Sequence, residues 1–256
     1  MCSHQQKIIE QFTRQAIPFT QIAGHHDAID LLIDFAAPVR NDTVLDVACG
    51  PGIVTCAIAN QCCHVTGLDV TPAMIEQARK RQIEQGATNI TWRIDTCLPL
   101  PFGDMEFSLV VTRYSFHHFH NPADVLAEMI RVCRPGGKIL VADVALPPEK
   151  SQGFDQMEVI RDPSHVHALT SGEFERLIRQ SGLEDCRRTQ YEVEIELEAQ
   201  IKASFPLPGD DERLRSMITD DIGVDRFGIT PKRKNGQIWY TIPMAVYVGT
   251  KRTGAE

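Results

Sequence analysis

The sequence predicts an α/β protein built on a doubly wound, mostly parallel sheet. Five short apolar runs alternate with helix-forming segments between Thr43 and Asp143, and strands alternating with single helices pair in parallel through right-handed crossovers. The runs are continuously apolar, as strands covered by helices on both faces are. The first, Thr43-Val44-Leu45-Asp46-Val47, breaks into Gly50-Pro51-Gly52 and then enters residues 53–59, which can be helical. That is the strand, tight glycine turn and helix start of a nucleotide-binding unit. The third glycine of the dinucleotide fingerprint would fall at Thr55 and is absent.

Residues 7–15 have helical spacing, with Ile8, Ile9 and Phe12 on one side. Pro18 is expected to interrupt this helix before an apolar-polar loop over 19–24. Residues 27–35 read as an amphipathic helix stopped by Ala37-Pro38. After the glycine loop and its helix, a second strand over 64–68 ends in Asp69. Thr71 is suited to the N-cap of the next helix, Pro72 to its first position, and Gly86 closes it. A third strand over 89–94 ends in Asp95, a Pro-rich loop crosses 98–102, and a fourth strand spans 107–112. A helix over 123–132, closed by Arg134-Pro135-Gly136-Gly137, precedes a fifth strand over 138–142.

Past Asp143 the alternation loosens. Helices are expected over 152–161 and 171–180, the second with a capping-box-like start at Thr170-Ser171-Gly172-Glu173. A strand over 188–197 sets Tyr191, Val193, Ile195 and Leu197 on one face. Residues 199–221 are helix-prone but broken by Pro206 and Pro208. The tail over 237–248 is β-rich, and Pro243 within it suggests an edge, a bulge or a break between two strands.

At 256 residues, with 43% hydrophobic and 23% charged side chains, the chain fits one large domain with room for an accessory lobe. A net charge of -8 offers no footprint for a polyanion, so nucleic acid and acidic membranes are not expected partners. None of the eight cysteines forms a C-x-x-C pair; they are expected as reduced thiols packed as small hydrophobes. The polar start and the lack of a membrane-length apolar run lead us to expect a cytoplasmic protein.

Ligands of an open parallel sheet sit beyond the carboxyl ends of its strands. Those ends bring together Gly50 and Gly52, Asp69, Asp95-Thr96, and Arg113-Tyr114. An acid at Asp69 can accept both ribose hydroxyls, at about 1.5–3 kcal/mol for each charge-assisted bond. Asp95 can accept from an adenine amine, with Leu68, Met74 or Leu98 against the ring.

These residues also carry a resemblance. The stretch Val44-Leu45-Asp46-Val47-Ala48-Cys49-Gly50-Pro51-Gly52 resembles the first motif of class I S-adenosylmethionine (SAM) dependent methyltransferases, and Gly67-Leu68-Asp69-Val70-Thr71-Pro72-Ala73-Met74 resembles their second. Residues 95–102 are similar to the family's adenine loop, and 131–138 to the turn before its fifth strand. The nearest likeness is to the ubiquinone/menaquinone-type branch of small-molecule methyltransferases, where the Asp46 arrangement is characteristic.

The resemblance implies a Rossmann-like, seven-stranded sheet with a reversed final strand, and SAM as cofactor with S-adenosylhomocysteine as product. It also implies residues 1–40 as a helical cover, 41–145 as the cofactor core within a 41–256 methyltransferase domain, and 146–256 as an acceptor-side lobe. Gly50 and Gly52 would pass the methionine part, Asp69 and Val70 the ribose side, and Met74, Asp95 and Thr96 the adenine. Arg113 would flank the amino acid moiety, Asp46 would organise the loop, and Phe19 with the loop to Gly24 would close over the cofactor. The family's quinone-modifying members end in a short hairpin, whereas this chain has extra sequence over 199–237.

The expected reaction is in-line methyl transfer to oxygen, carbon or nitrogen of a small molecule, by a monomer or homodimer. A base is needed where the acceptor carries a proton of high pKa. His117, after the fourth strand, is the first candidate and His165 the second. Phe154, Met157, Phe205, Phe227 and Trp239 are candidate pocket lining. No metal is expected, because His117, His118 and His120 point to different sides. The alternatives are an NAD(P)-dependent oxidoreductase and a SAM-binding protein that does no chemistry. RNA methylation is disfavoured by the acidic balance and by Thr112-Arg113-Tyr114-Ser115 where an Asn/Asp-Pro-Pro-aromatic tetrad would stand.

Overall fold

A computed structural model of the chain describes residues 3–20 and 28–253; of the expected closing loop over 19–24, residues 21–24 and the side chain of Phe19 lie outside what is described. Strands β1 (Thr43–Val47), β2 (His64–Asp69), β3 (Ile90–Ile94), β4 (Phe107–Arg113) and β5 (Cys133–Val144) pair in parallel in the order β3-β2-β1-β4-β5. Beside β5 lies β8 (Gln237–Thr250), antiparallel to it, followed by β6 (Glu184–Glu196) at the far edge. These seven strands are the expected path with its reversed member. An eighth, β7 (Lys232–Lys234), pairs only with the start of β8.

The central strands β1, β2 and β4 are largely apolar because both faces are covered. On one face Leu45, Val47, Leu68 and Val110 meet α5 (Pro122–Val132) and α7 (Ser171–Gln180); on the other Val44, Val65, Leu109 and Val111 meet α2 (Ile29–Ala36) and α3 (Ile53–Ala59). Neighbours such as Val44 and Leu45, both fully buried, point to opposite faces, so a strand here has no polar side. The remaining crossover helix is α4 (Pro72–Gln85), closed by Gly86 in the left-handed conformation. A third core belongs to the C-terminal lobe, where α6 (Pro148–Arg161), α8 (Leu197–Ser204) and α9 (Asp210–Asp220) contribute Phe154, Met157, Ile201 and Leu214 against Val193 and Ile195 of β6. Among the described residues no helix is long and apolar enough to cross a membrane.

Several local expectations are corrected. Helix α1 runs Ser3–Phe19 with Pro18 inside its last turn; the proline prevents continuation and leaves the turns before it intact. Thr71 starts α4 in an extended conformation without a side-chain cap; its N–H is instead held by Asp69 Oδ1 at 2.8 Å. The turn at 134–137 forms a bulge within β5, between the Phe107–Cys133 and Leu109–Lys138 pairs. Pro243 neither breaks nor ends its strand. It pairs with Glu192 of β6, and its carbonyl accepts from Ala145 N just past the last β5 pair. Carbonyl and nitrogen of one strand residue face the same side, so the missing N–H falls where the β5 ladder has ended. The capping box at Thr170 and Glu173 forms as expected.

Candidate active site

The turn after β1 is shaped by three left-handed residues, Ala48 (φ 55°), Gly50 (φ 52°) and Gly52 (φ 73°). The two glycines serve different ends. A Cβ on Gly50 would meet nothing within 4 Å, so that backbone is open to a ligand. A Cβ on Gly52 would stand 2.6 Å from the Trp92 ring and 2.9 Å from Ala78, so this glycine lets β3 and α4 close on the turn. Asp46 lies beneath, 2% exposed, its Oδ2 receiving the Thr55 hydroxyl at 2.6 Å. Thr55 thus has a polar task at the position of the missing third glycine. Burial pushes the Asp46 carboxyl up to about 7. Asp69, at the end of β2, accepts from Gly50 N at 2.9 Å and Thr71 N at 2.8 Å, tying the two loops together. Burial raises its carboxyl too, against those bonds.

Above these strand ends lies a cavity of about 460 Å³. Of the sequence-predicted residues, Asp46, Gly50, Asp69, Val70, Met74, Asp95, Thr96, Arg113 and His117 line it, together with Leu68 and Leu98. Gly52 and His165 do not. Asp95 accepts from Thr96 N at 2.9 Å and pairs with Arg93 at 3.4 Å. Arg113 donates to the Tyr114 hydroxyl at 2.7 Å and lies 4.1 Å above that ring. Helix α1 closes the open side through His4, Ile8, Phe12 and Gln15. It is fastened by His4 Nε2 to the His118 carbonyl (2.8 Å) and by Gln11 to the Ser204 carbonyl (2.7 Å).

The far end of the cavity is built by β4, β5 and the C-terminal lobe. His117 sits in a 3-10 turn over Phe116–His118. Its Nδ1 donates to Asp143 Oδ1 at 2.6 Å, since a carboxylate can only accept. Asp143, at the end of β5, is fixed by Phe116 N and Val144 N, both at 2.7 Å. Burial alone would depress the imidazole; the Asp143 charge and hydrogen bond outweigh it, raising the His117 pKa above the ordinary value and lowering that of Asp143. His118 is pushed the other way, to about 3, by burial and by His117 beside it, and its Nδ1 is held at 3.0 Å by the Ser164 carbonyl.

His165 comes within 5.7 Å of the His117 ring but faces elsewhere: its Nε2 binds Asp155 Oδ1 at 2.7 Å in a separate cleft shared with His167 and Glu173. Of the aromatic and Met lining candidates, Phe154 reaches the cavity. Met157 and Phe227 are buried in the lobe core, Phe205 is exposed, and Trp239 lies under Lys234. The sequence reading missed Asp143, although it obeys the strand-end rule that picked out Asp69 and Asp95. It also missed Glu158 and Gln200, which line the cavity from helices with no motif of their own; Arg161 and Asp162, at the end of α6, line it too.

The sheet order, the reversed strand, the glycine turn and the strand-end acids define the class I methyltransferase architecture. Residues 44–137 match the family model described as "Methyltransferase domain". The uncharacterized methyltransferase YcgJ of Bacillus subtilis is 27% identical over 239 residues, covering 91% of this chain and 93% of that protein. The demethylmenaquinone methyltransferase of Clavibacter sepedonicus is 30% identical over 137 residues, covering 53% of this chain and 55% of that one. The crystal structure of the Bacillus subtilis YcgJ protein superposes with a TM-score of 0.80 at 24% identity, covering 90% of this chain and 100% of that one, a likeness of fold. Residues 44–137 thus carry a methyltransferase domain within a class I methyltransferase fold, and the chain is a SAM-dependent methyltransferase.

Proposed function

We propose that this enzyme transfers a methyl group from SAM to a small molecule that loses a proton to His117. The observation that carries the reading is one cavity holding both the open Gly50–Asp69 turn and, at its other end, the His117–Asp143 pair. The residues fit the cofactor. The clear space over Gly50 accepts a ligand backbone, and Asp69 keeps lone pairs for ribose hydroxyls beyond the two N–H bonds it takes. Asp95 and Thr96 with Leu68, Met74 and Leu98 suit an adenine, and buried Asp46 suits an ammonium group. The cofactor, when bound, supplies a methyl group on a sulfonium for in-line displacement, leaving S-adenosylhomocysteine.

The chain itself contributes alignment and a base. Asp143 fixes the His117 ring with Nδ1 protonated, so Nε2 is the atom that takes the acceptor's proton. The same carboxylate stabilises the imidazolium that results. Helix α1 roofs the cavity and excludes water from the reacting groups. In this reading residues 1–40 are the cover, 41–145 the cofactor core and 146–256 the acceptor lobe.

Calorimetry with S-adenosylhomocysteine and NADH, followed by label transfer from methyl-labelled SAM across phenols, amines and quinols, tests the reading. Tight S-adenosylhomocysteine binding with transfer to one acceptor class is the expected result. NADH binding without S-adenosylhomocysteine binding overturns it, and firm cofactor binding with no transfer to any class favours a non-catalytic SAM-binding protein.

A further inference from the structure

The acceptor end of the cavity holds a charged device that proton removal by His117 does not require. Glu158, on α6, lines the cavity and is 5% exposed. Its Oε1 takes two N–H groups of Arg161, the Nε at 2.7 Å and a closer one from Nη2. Among the described residues nothing donates to Glu158 Oε2. Arg161 turns Nη1 to the Ser204 hydroxyl at 3.0 Å and has Asp162 Oδ2 at 3.8 Å, so one guanidinium stands between two carboxylates. Arg161 keeps Glu158 ionised against the pull of burial, and His118, packed against this group, is neutral. Gln200 of α8 lines the same end, 6% exposed, and its Oε1 has no donor among the described residues. Phe154, Val193, Ile195 and Met244 add an apolar wall beside Tyr114 and His117, and the His117 charge is matched by its own partner Asp143.

The oxygens of Glu158 and Gln200 left without donors are hydrogen-bond acceptors, and Glu158, Arg161 and Asp162 together carry one excess negative charge. A carboxylate or phosphate brought here would meet like charge, with the one guanidinium already matched twice over. A hydroxyl or amine would supply the donor that these oxygens lack.

We propose that the methyl acceptor is an apolar small molecule presenting a hydroxyl or amine to Glu158, and that this end of the cavity refuses anionic groups. The proposal rests on reading the cavity as a methyl-transfer site.

The test uses the full chain saturated with S-adenosylhomocysteine and four ethylbenzenes carrying at the para position a hydroxyl, an aminomethyl, a carboxylate or only hydrogen. Dissociation constants are measured by calorimetry at about pH 7.5, where the amine is charged and the acid ionised. Hydroxyl and amine are expected to bind at least about tenfold more tightly than the carboxylate, the scale of one like-charge contact, and more tightly than the bare hydrocarbon. Which of the two binds better separates an alcohol-type from an amine-type acceptor. The Glu158→Gln variant should lose most of the discrimination against the carboxylate. Equal or tighter carboxylate binding, no gain over the hydrocarbon, or no binding of either donor while S-adenosylhomocysteine binds overturns the proposal and leaves the cofactor reading standing. Failure of S-adenosylhomocysteine itself to bind overturns both. The wild-type panel decides even where the variant does not fold.

Discussion

Asp46 makes a prediction opposite in sign to what an acid in a cofactor-loop motif suggests: replacing it should stabilise the cofactor-free protein. The carboxyl is 2% exposed, has one hydroxyl partner in Thr55, and titrates at about 7 against an ordinary 3.8 because burial disfavours its charge. The folded pKa is raised, so its contribution to stability is fully present below about pH 3.8 and is lost as pH rises through 7. At 1.36 kcal/mol per unit, the whole penalty above pH 7 is on the order of 4 kcal/mol, and the part that develops between pH 5.5 and 8 is about 2 kcal/mol. Asn at this position keeps an oxygen for Thr55 and carries no charge. Urea unfolding of the cofactor-free wild type and Asp46→Asn at pH 5.5 and 8 should show the variant's advantage growing by about 2 kcal/mol, roughly 4–8 °C in Tm for a chain of this size. Parallel pH profiles for the two proteins, or a variant less stable throughout, would refute the reasoning. Because an ammonium group favours the ionised form, wild-type affinity for S-adenosylhomocysteine should also weaken below pH 7, and the variant's should be low and flat.

Other outcomes follow from the same geometry. Asp69→Ala removes the acceptor for Gly50 N and Thr71 N as well as the proposed ribose contact, so S-adenosylhomocysteine affinity by calorimetry should fall by at least about 100-fold, the low end for two charge-assisted bonds; unchanged affinity discards the ribose assignment. Gly52→Ala drives a Cβ against Trp92 and Ala78 at a positive φ and should lower stability by about 1–3 kcal/mol, whereas Gly50→Ala, with open space around it, should spare the fold more and reduce cofactor affinity. His117→Ala should cut kcat by about 10²–10⁴ while S-adenosylhomocysteine affinity stays within about threefold; a normal rate removes it as the base. Asp143→Asn withdraws the charge that raises His117, so the acidic limb of the kcat/KM profile, where the base protonates, should move to lower pH as kcat falls. A limb that stays in place argues against the pair.

Much of the half proposed for the cofactor was legible because its information is local. A β-branched run, a glycine turn and an acid closing the next strand each lie within about ten residues, and the parallel topology lines up strand ends without further instruction. Asp46, Gly50, Asp69, Asp95 and Arg113 all reach the cavity for that reason. Gly52 did not follow the motif's usual meaning, because only the approach of Trp92 and Ala78 reveals that it makes room for packing. Asp143 was open to the same strand-end rule and was passed over where the regular alternation stops.

The half of the cavity that we propose for the acceptor is put together by tertiary structure. Glu158 and Arg161 share a helix face like many surface ion pairs, and nothing in their spacing says that the face is buried against Ser204 and Gln200, which arrive from some forty residues away. The sequence ranked His117 ahead of His165 without showing what either would meet. Folding gave His117 a buried carboxylate and a place in the cavity, and turned His165 to Asp155 in another cleft. What the sequence determined by itself was the sheet, the glycine turn and the strand-end side of the cavity proposed for the cofactor, since short-range pattern dictates strand, turn and strand end. Which histidine meets a carboxylate inside the cavity, and which charge stays unmatched where an acceptor would lie, depends on contacts between distant segments, and only the folded chain makes those.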